Sequence, residues 1–310
     1  MDLPIYIVGA GAIGLALATC LRQAKKDVIL LHARESVGTA YSHPITMVGP
    51  DGLEHSEEVS FSFLSEFSQL NGIILLTSKS FGNTYLAEKL AGKVGQSPLV
   101  LLQNGLTVEQ PFLDNDFPGV YRCVLLATSQ TLSPVSVRYK PVAESSIGVI
   151  KGEISYLNEL VDSINTPGFP FRAEPNIQPA IWEKAIINAV FNSVCPLLNV
   201  DNGVFHREPK AFDLAKAIIR EGVQLAAEMG IVLKQNEVEG RLLQISNLSD
   251  GQLISTLVDI NQHRQTELET LNLAMVRLAE RLNKVHLIER IKVLGELTKL
   301  KSDLSRAGQL

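Results

Sequence analysis

Cysteine is scarce in this chain, with 3 in 310 residues. Cys20, Cys123 and Cys195 are odd in number and far apart, which excludes a disulfide framework and a close-set thiolate metal site. They fit buried thiols in a reducing cytoplasm. Basic clusters are missing too: the formal charge is -5, and pairs such as Lys25-Lys26 stand alone. Without a basic footprint, nucleic acid is excluded as an expected partner. No apolar run reaches the roughly 18 residues that cross a bilayer. The run at residues 5–8 is too short for the apolar region of a signal peptide, and glycine ends it. Internal repeats and low-complexity stretches are absent as well. The expectation is a cytoplasmic, soluble globular protein with no membrane partner. Its length and 45% hydrophobic content suit two domains.

The first half alternates short β-rich runs with helical stretches. Strands are expected at residues 5–8, 28–32, 73–77, 99–103 and 120–127, with helices at 15–23 and 84–91 among them. That alternation specifies an α/β fold with a doubly wound parallel sheet. Residues 135–139 and 147–150 read as strands added at a sheet edge. Prolines then cluster at 167, 170, 175 and 179 around Gly168, marking a domain boundary. Beyond it apolar residues recur at spacings of three and four through 180–198, 210–229, 237–245, 252–282 and 285–300, so an all-helical C-terminal domain is expected. Residues 302–310 read as a frayed tail.

"IYIVGAGAIGLALA", residues 5–18, places Gly9, Gly11 and Gly14 in the G-x-G-x-x-G pattern with Ala10, Ala12 and Ile13 between them. The first glycine allows a sharp turn off the strand, the second admits a pyrophosphate to the backbone, and the third permits close packing of helix on strand. The free N–H groups and dipole of the helix N-terminus favour phosphate charge. A strand before, a helix after and a second strand at the expected distance give this turn its Rossmann-type context. NAD sites usually end the second strand with an acidic residue about 20 residues past the glycines. Here the strand ends Leu31-His32-Ala33-Arg34. Arg34 can meet a 2'-phosphate with a planar fork of donors, favouring NADP (NADPH). Two alternatives stay open: Glu35 serving the ribose, and Arg34 as an ordinary surface residue. The division is thus 1–175, an NADP-binding Rossmann domain, and 176–310, a helical domain.

In "IWEKAIINAVFNSV", Lys184, Asn188 and Asn192 are spaced four apart, so one helix face presents a cation and two amides. Ile181, Ala185, Ile186, Ala189, Val190 and Val194 already supply a buried surface. Such a polar row suits a hydroxylated carboxylate; the alternative is a solvated stripe.

Taken in order, "TSKS" with Lys79, "LQNGL" with Asn104, the Lys184-Asn188-Asn192 helix, and "STLVDINQHRQTELE" with Ser255, Asp259 and Glu267 resemble the ketopantoate reductase family (2-dehydropantoate 2-reductases) over nearly the whole chain. The resemblance implies NADPH-dependent reduction of 2-dehydropantoate to (R)-pantoate, a step towards pantothenate and coenzyme A. It makes Lys184 the general acid, which stabilises charge on the carbonyl oxygen and donates the proton. Asn188, Asn192 and Asn202 of "DNG" would fix the substrate, and Ser255 opens the stretch that holds its carboxylate. Lys79, Asn104 and Glu267 would contact the dinucleotide. Glu267 reads equally as part of an exposed charge row with Asp259 and His263 on one long helix, and Lys79 as a solvated loop lysine. His32, His206 and His263 receive no catalytic role. Two departures stand out: "LLATSQTLSP", residues 125–134, lacks the histidine of the family's Gly-Thr-Thr-His-Ala-like segment, and Arg34 lies about one residue later than the family's phosphate-binding arginine. They leave two further readings, a related reductase of another branched 2-oxo acid and a non-catalytic dinucleotide sensor. The expected partner is a small 2-oxo acid, and a homodimer is compatible with the sequence.

Overall fold

The computed structural model describes residues 3–33 and 39–309, so Arg34 and Glu35 lie outside the described residues. The sheet-bearing part runs β1 (Ile5–Val8), α1 (Ala12–Gln23), β2 (Val28–His32), β3 (Tyr41–Val48), β4 (Glu54–Phe63), β5 (Ile73–Leu76), α2 (Asn83–Leu90), β6 (Leu99–Leu101), α3 (Gln110–Asp114), β7 (Val120–Val124), β8 (Ala127–Ser133), β9 (Ser136–Pro141), β10 (Ser145–Lys151), α4 (Leu157–Ile164) and β11 (Phe171–Ala173). The helical part holds α5 (Gln178–Leu198), α6 (Val204–Arg207), α7 (Pro209–Glu228), α8 (Gln235–Leu248), α9 (Ser255–Asn261), α10 (Asn272–Arg281) and α11 (Glu289–Arg306). Two compact units result. The first holds the chain up to Gln103 and Val108–Ile177, the second Asn104–Thr107 and everything from Gln178 onward.

In the first unit the strand order is β11-β10-β7-β6-β5-β1-β2-β4-β3-β9-β8. From β7 through β4 every neighbour is parallel, with Ile5 in register with Val28 on one side and Ile73 on the other. Ile5 and Ile7 point into a cluster with Leu15, Leu17 and Leu21 of α1 and Leu160 and Ile164 of α4. Tyr6 and Val8 point the other way, into one with Leu86 and Leu90 of α2 and Phe112 of α3. Helices thus cover both faces, and "IYIV" and "IILL" are apolar throughout because neither face of β1 or β5 meets water.

Several local expectations need correction. The strand expected over 120–127 breaks after Val124, and β8 starts at Ala127 in a hairpin with β9. Neither β9 nor β10 is an edge: β9 lies between β3 and β8, β10 between β7 and β11. The β3–β4 hairpin was not expected, because Glu54, Glu57 and Glu58 dilute its apolar signal and only alternate residues such as Ile45, Met47, Val59 and Phe61 are buried. Its turn is set by Gly49 N–H donating to Leu53 O at 2.9 Å and by Gly52 at φ +81°.

In the second unit α5 is buried over most of its circumference and packs against α7, α9 and α11. A Cβ on Gly222 of α7 would stand 2.7 Å from Ile186 Cγ1, so glycine lets α7 cross α5 closely. Glu221, also buried, accepts from Arg290 N and Ile291 N, both at 3.0 Å, and so caps the start of α11. The continuous helix expected over 252–282 is broken. α9 ends at Asn261, His263 takes φ +53°, and His263 N and Arg264 N donate back to Ile260 O and Asp259 O. Residues 302–306 are no frayed tail: α11 runs on to Arg306, with Ser302 and Ser305 buried. Among the described residues, no helix is long and apolar enough to cross a membrane and no group of side chains could hold a metal ion.

The glycine turn makes the first prediction. A Cβ at Gly14 would stand 2.0 Å from Gly9 O, against backbone that cannot move aside, whereas one at Gly11 meets nothing within 4 Å. Gly14→Ala should lower unfolding stability by about 1–3 kcal/mol or more, and Gly11→Ala by under about 0.5 kcal/mol, as read by urea denaturation.

Candidate active site

The turn between β1 and α1 has the shape that the glycine spacing implies. Gly9 sits at φ +124°, and a Cβ there would stand 2.6 Å from Ser78 N. Thr77 Oγ1 donates to Gly9 O at 2.8 Å, tying the turn to the end of β5. Gly11 caps α1 in extended geometry, with no side-chain cap and no acidic residue in the first turn. The helix N-terminus therefore keeps its positive end, and the space a Gly11 side chain would fill is empty. A dinucleotide pyrophosphate fits there. Ser129 of β8 donates to Ala12 O at 3.0 Å, so the segment that departs from the family pattern lies against the first turn of this helix.

Beside the end of β2 lies a cavity of about 220 Å³ lined by His32, Ala33, Leu64, Ser65, Tyr85, Lys89 and Lys93. Burial pushes His32 below its ordinary pKa. Its ring stacks on Phe63, Phe61 and Tyr41, and its Nε2 meets Tyr41 OH at 3.0 Å, which gives this histidine a packing role. Lys79 is exposed, directly after β5.

The second unit brings Asn104 and Glu267 into one neighbourhood. Leu106 N donates to Thr270 O at 2.7 Å, and Thr270 N to Glu267 O at 3.0 Å. Gly105, at φ +106°, lets the two strands of chain approach, since a Cβ there would stand 2.3 Å from Thr270 O. Glu267 opens a short 3-10 turn. Because the helix has already ended at Asn261, it shares no helical charge row with Asp259. Asp259 is buried and pairs instead with Arg264, at 2.7 Å.

On α5, Lys184 and Asn188 are half-buried and Asn192 is buried. Asn192 Nδ2 donates to Asn188 O at 2.9 Å, and its Oδ1 accepts from Thr256 Oγ1 at 2.7 Å. Its amide joins α5 to α9, and Thr256 follows Ser255, which stands exposed at the start of α9. Asn272, wholly buried, donates to Ala189 O at 3.0 Å on the same stretch of α5. Nothing in the sequence marks Thr256 or Asn272, because a polar residue on a short helix reads as surface until its partner is known.

Asn202 is buried and held by its backbone: N donates to Gln252 O at 2.9 Å, and O accepts from Ser246 Oγ at 2.7 Å. Its side-chain Oδ1 is buried with no hydrogen-bond partner, an acceptor available to a ligand hydroxyl. Asp201 organises this loop. Its carboxylate accepts from Gly203 N at 2.7 Å, Gly251 N at 3.2 Å and Arg207 Nη2 at 2.8 Å. The Arg207 guanidinium, with help from those two amides, holds the Asp201 carboxyl down at about 2. Burial pushes the neighbouring Cys195 thiol up to about 12, which keeps it protonated and inert.

A glycine turn shaped for a pyrophosphate on a parallel sheet, followed in the chain by a helical unit with a Lys-Asn-Asn row, defines an oxidoreductase of the dinucleotide-binding class. The family signature described as "Ketopantoate reductase PanE/ApbA" matches residues 5–152, and that described as "Ketopantoate reductase PanE/ApbA C terminal" matches residues 176–288. The chain belongs to the ketopantoate reductase family. It is 26% identical over 282 residues to a 2-dehydropantoate 2-reductase of Pyrococcus abyssi, covering 90% of this chain and 92% of that one. In fold it is similar to D-mandelate dehydrogenase solved with NADH and anilino(oxo)acetate, with TM-score 0.84, 21% identity, and 98% and 99% of the two chains covered. It is similar also to a dimeric ketopantoate reductase from Staphylococcus aureus, with TM-score 0.81, 18% identity, and 98% and 100% covered.

The Asp201 loop carries a pH prediction. A carboxyl depressed in the folded state contributes stability that is present above its ordinary value of 3.8 and is lost as pH falls towards about 2. Asp201→Asn should therefore be less stable than the parent near neutrality, and the gap in urea midpoints should close between those two pH values.

Proposed function

We propose that this protein reduces 2-dehydropantoate to (R)-pantoate with NADPH, with Lys184 as proton donor. The observation that carries this reading is the row on α5: a half-buried Lys184 and Asn188 above a buried Asn192, on a helix otherwise sunk in apolar core. A cation and an amide one turn apart on such a helix set a donor row beside the apolar core, the arrangement that a 2-oxo acid's carbonyl and hydroxyl oxygens call for. The family match over both halves of the chain adds the reaction class.

A nicotinamide dinucleotide held at the Gly9 to Gly14 turn would supply the hydride to C2 of the 2-oxo acid. As that C–H bond forms, the carbonyl π pair moves to oxygen, and the Lys184 ammonium stabilises the charge and passes a proton to it, leaving a neutral amine to be reprotonated from solvent. Asn188 and the Asn202 Oδ1 orient the substrate's hydroxyl and carbonyl groups. Asn192 serves by holding Asn188's turn of helix to α9. Ser255 takes the carboxylate end. Gly9 to Gly14 hold the pyrophosphate, and Lys79, Asn104 and Glu267 make further contacts with the dinucleotide. For the 2'-phosphate, the sequence offers Arg34, and Lys89 and Lys93 line the cavity beside the end of β2.

A second reading, a sister enzyme for another 2-oxo acid, is favoured by β8. Its "ATSQTLS" replaces the family's histidine-bearing segment and sits against the first turn of α1. The likeness in fold to D-mandelate dehydrogenase points the same way. A panel of 2-oxo acids that includes 2-dehydropantoate and phenylglyoxylate separates the two.

Lys184→Ala should lower kcat for the favoured 2-oxo acid by about a hundredfold or more and leave NADPH affinity nearly unchanged. Asn188→Ala should raise KM more than it lowers kcat. Full turnover by Lys184→Ala, or no turnover of any 2-oxo acid by the parent, would leave the dinucleotide-sensor reading. NADPH should bind more tightly than NADH by about 1 to 3 kcal/mol, the range of charge-assisted hydrogen bonds. Arg34→Ala should remove most of that preference in a fluorescence titration, and equal affinities in the parent would remove Arg34 from the argument.

A further inference from the structure

Asn83, the first residue of α2, is buried, and so is Gln103, two residues past β6. Their amides face each other reciprocally. Asn83 Nδ2 donates to Gln103 Oε1 at 2.8 Å, and Gln103 Nε2 donates to Asn83 Oδ1 at 2.7 Å. Each spends its second N–H on a backbone carbonyl: Asn83 on Val108 O at 2.7 Å, Gln103 on Ser78 O at 2.9 Å. Every N–H donor of the pair is thereby used.

The carbonyls reached are the informative part. Ser78 precedes Lys79, Gln103 precedes Asn104, and Val108 closes the segment that carries Asn104. Between the last two anchors the backbone takes φ +106° at Gly105 and φ +59° at Thr107, conformations that need support from their surroundings. A second support comes from β7, where buried Arg122 meets the Glu109 carboxylate and reaches Gln103 O at 3.5 Å. Two apolar side chains of the same shape would fill this space and remove the amide–amide pair at little cost, but they would leave the Ser78 and Val108 carbonyls without these donors. What the amides add is direction, since they fix the Ser78 and Val108 carbonyls at set distances from a single point.

We propose that Asn83 and Gln103 are a positioning pair that fixes the Lys79 loop and the two anchors of the Asn104 segment, Gln103 and Val108, before the dinucleotide binds. This rests on the cofactor roles of Lys79 and Asn104 proposed above. Neither amide touches the cofactor; each acts through the loop it holds.

The test uses the full chain with Asn83→Leu, Gln103→Met, both together, and the swapped pair Asn83→Gln with Gln103→Asn. Amide hydrogen exchange is followed at residues 78–80 and 104–108 without cofactor, and NADPH Kd is measured by fluorescence titration. In Asn83→Leu, exchange in both loops should rise about tenfold or more and Kd should rise about tenfold or more, while kcat at saturating NADPH stays within about threefold. The double variant should be no worse than the single ones, and the swap should bring Kd back towards the parent. Unchanged exchange and Kd in a folded Asn83→Leu would overturn the proposal. So would losses that track a lowered thermal midpoint and are not recovered by the swap. If Asn83→Leu does not fold, Gln103→Met, which spares the bond to Val108, carries the same readouts. Raised exchange in a protein whose parent binds no dinucleotide would overturn the cofactor reading and the use assigned to the pair, while leaving the brace itself demonstrated.

Discussion

The contact on which the rest depends is the one between the first turn of α1 and the carbonyl of Gly9. With no side chain at residue 14, helix and strand approach until a single methyl would collide with backbone. That approach seats α1 over the sheet, where Leu15, Leu17 and Leu21 complete the core on one face of β1. It also leaves the helix N-terminus uncapped by side chains, beside a glycine that faces open space. Packing and binding are thus served by the same turn, which explains why its three glycines are not interchangeable. Two bear on the fold through backbone conformation and close approach, and Gly11 bears on what enters from outside.

Much of the architecture was legible because it follows from burial. The strands β1, β5 and β6 are covered on both faces and read as unbroken apolar runs, and the helices of the second unit show their spacing plainly. What escaped was polar on one side. The β3–β4 hairpin carries three glutamates on its first turn-proximal residues, so its alternate buried positions are diluted. The break after α9 was hidden because no glycine or proline announces it: His263, an unusual residue for a left-handed conformation, takes that position and binds Ser305.

The site divides along a similar line. Gly9, Gly11, Gly14 and the Lys184-Asn188-Asn192 row are sequence-local, so their spacing carries their geometry. Pairings between distant residues are not. Thr256 on Asn192, Asn104's loop beside Glu267, and the reciprocal amides of Asn83 and Gln103 all arise from tertiary proximity. Asn192, which the family resemblance assigns to substrate, spends its amide on Asn188 O and Thr256, partners that its place in the sequence does not reveal.

The last turns of α11 act as a strut. Ser302 meets Thr266 at 3.1 Å, and Ser305 both donates to Ile260 O at 2.7 Å and meets the His263 ring. Ile260, His263 and Thr266, at and just beyond the α9 terminus, are therefore clamped by a helix some forty positions later in the chain. The last of them, Thr266, precedes Glu267 directly. Anything that loosens the last turns of α11 would be felt first at the Glu267 turn, some forty positions earlier in the chain.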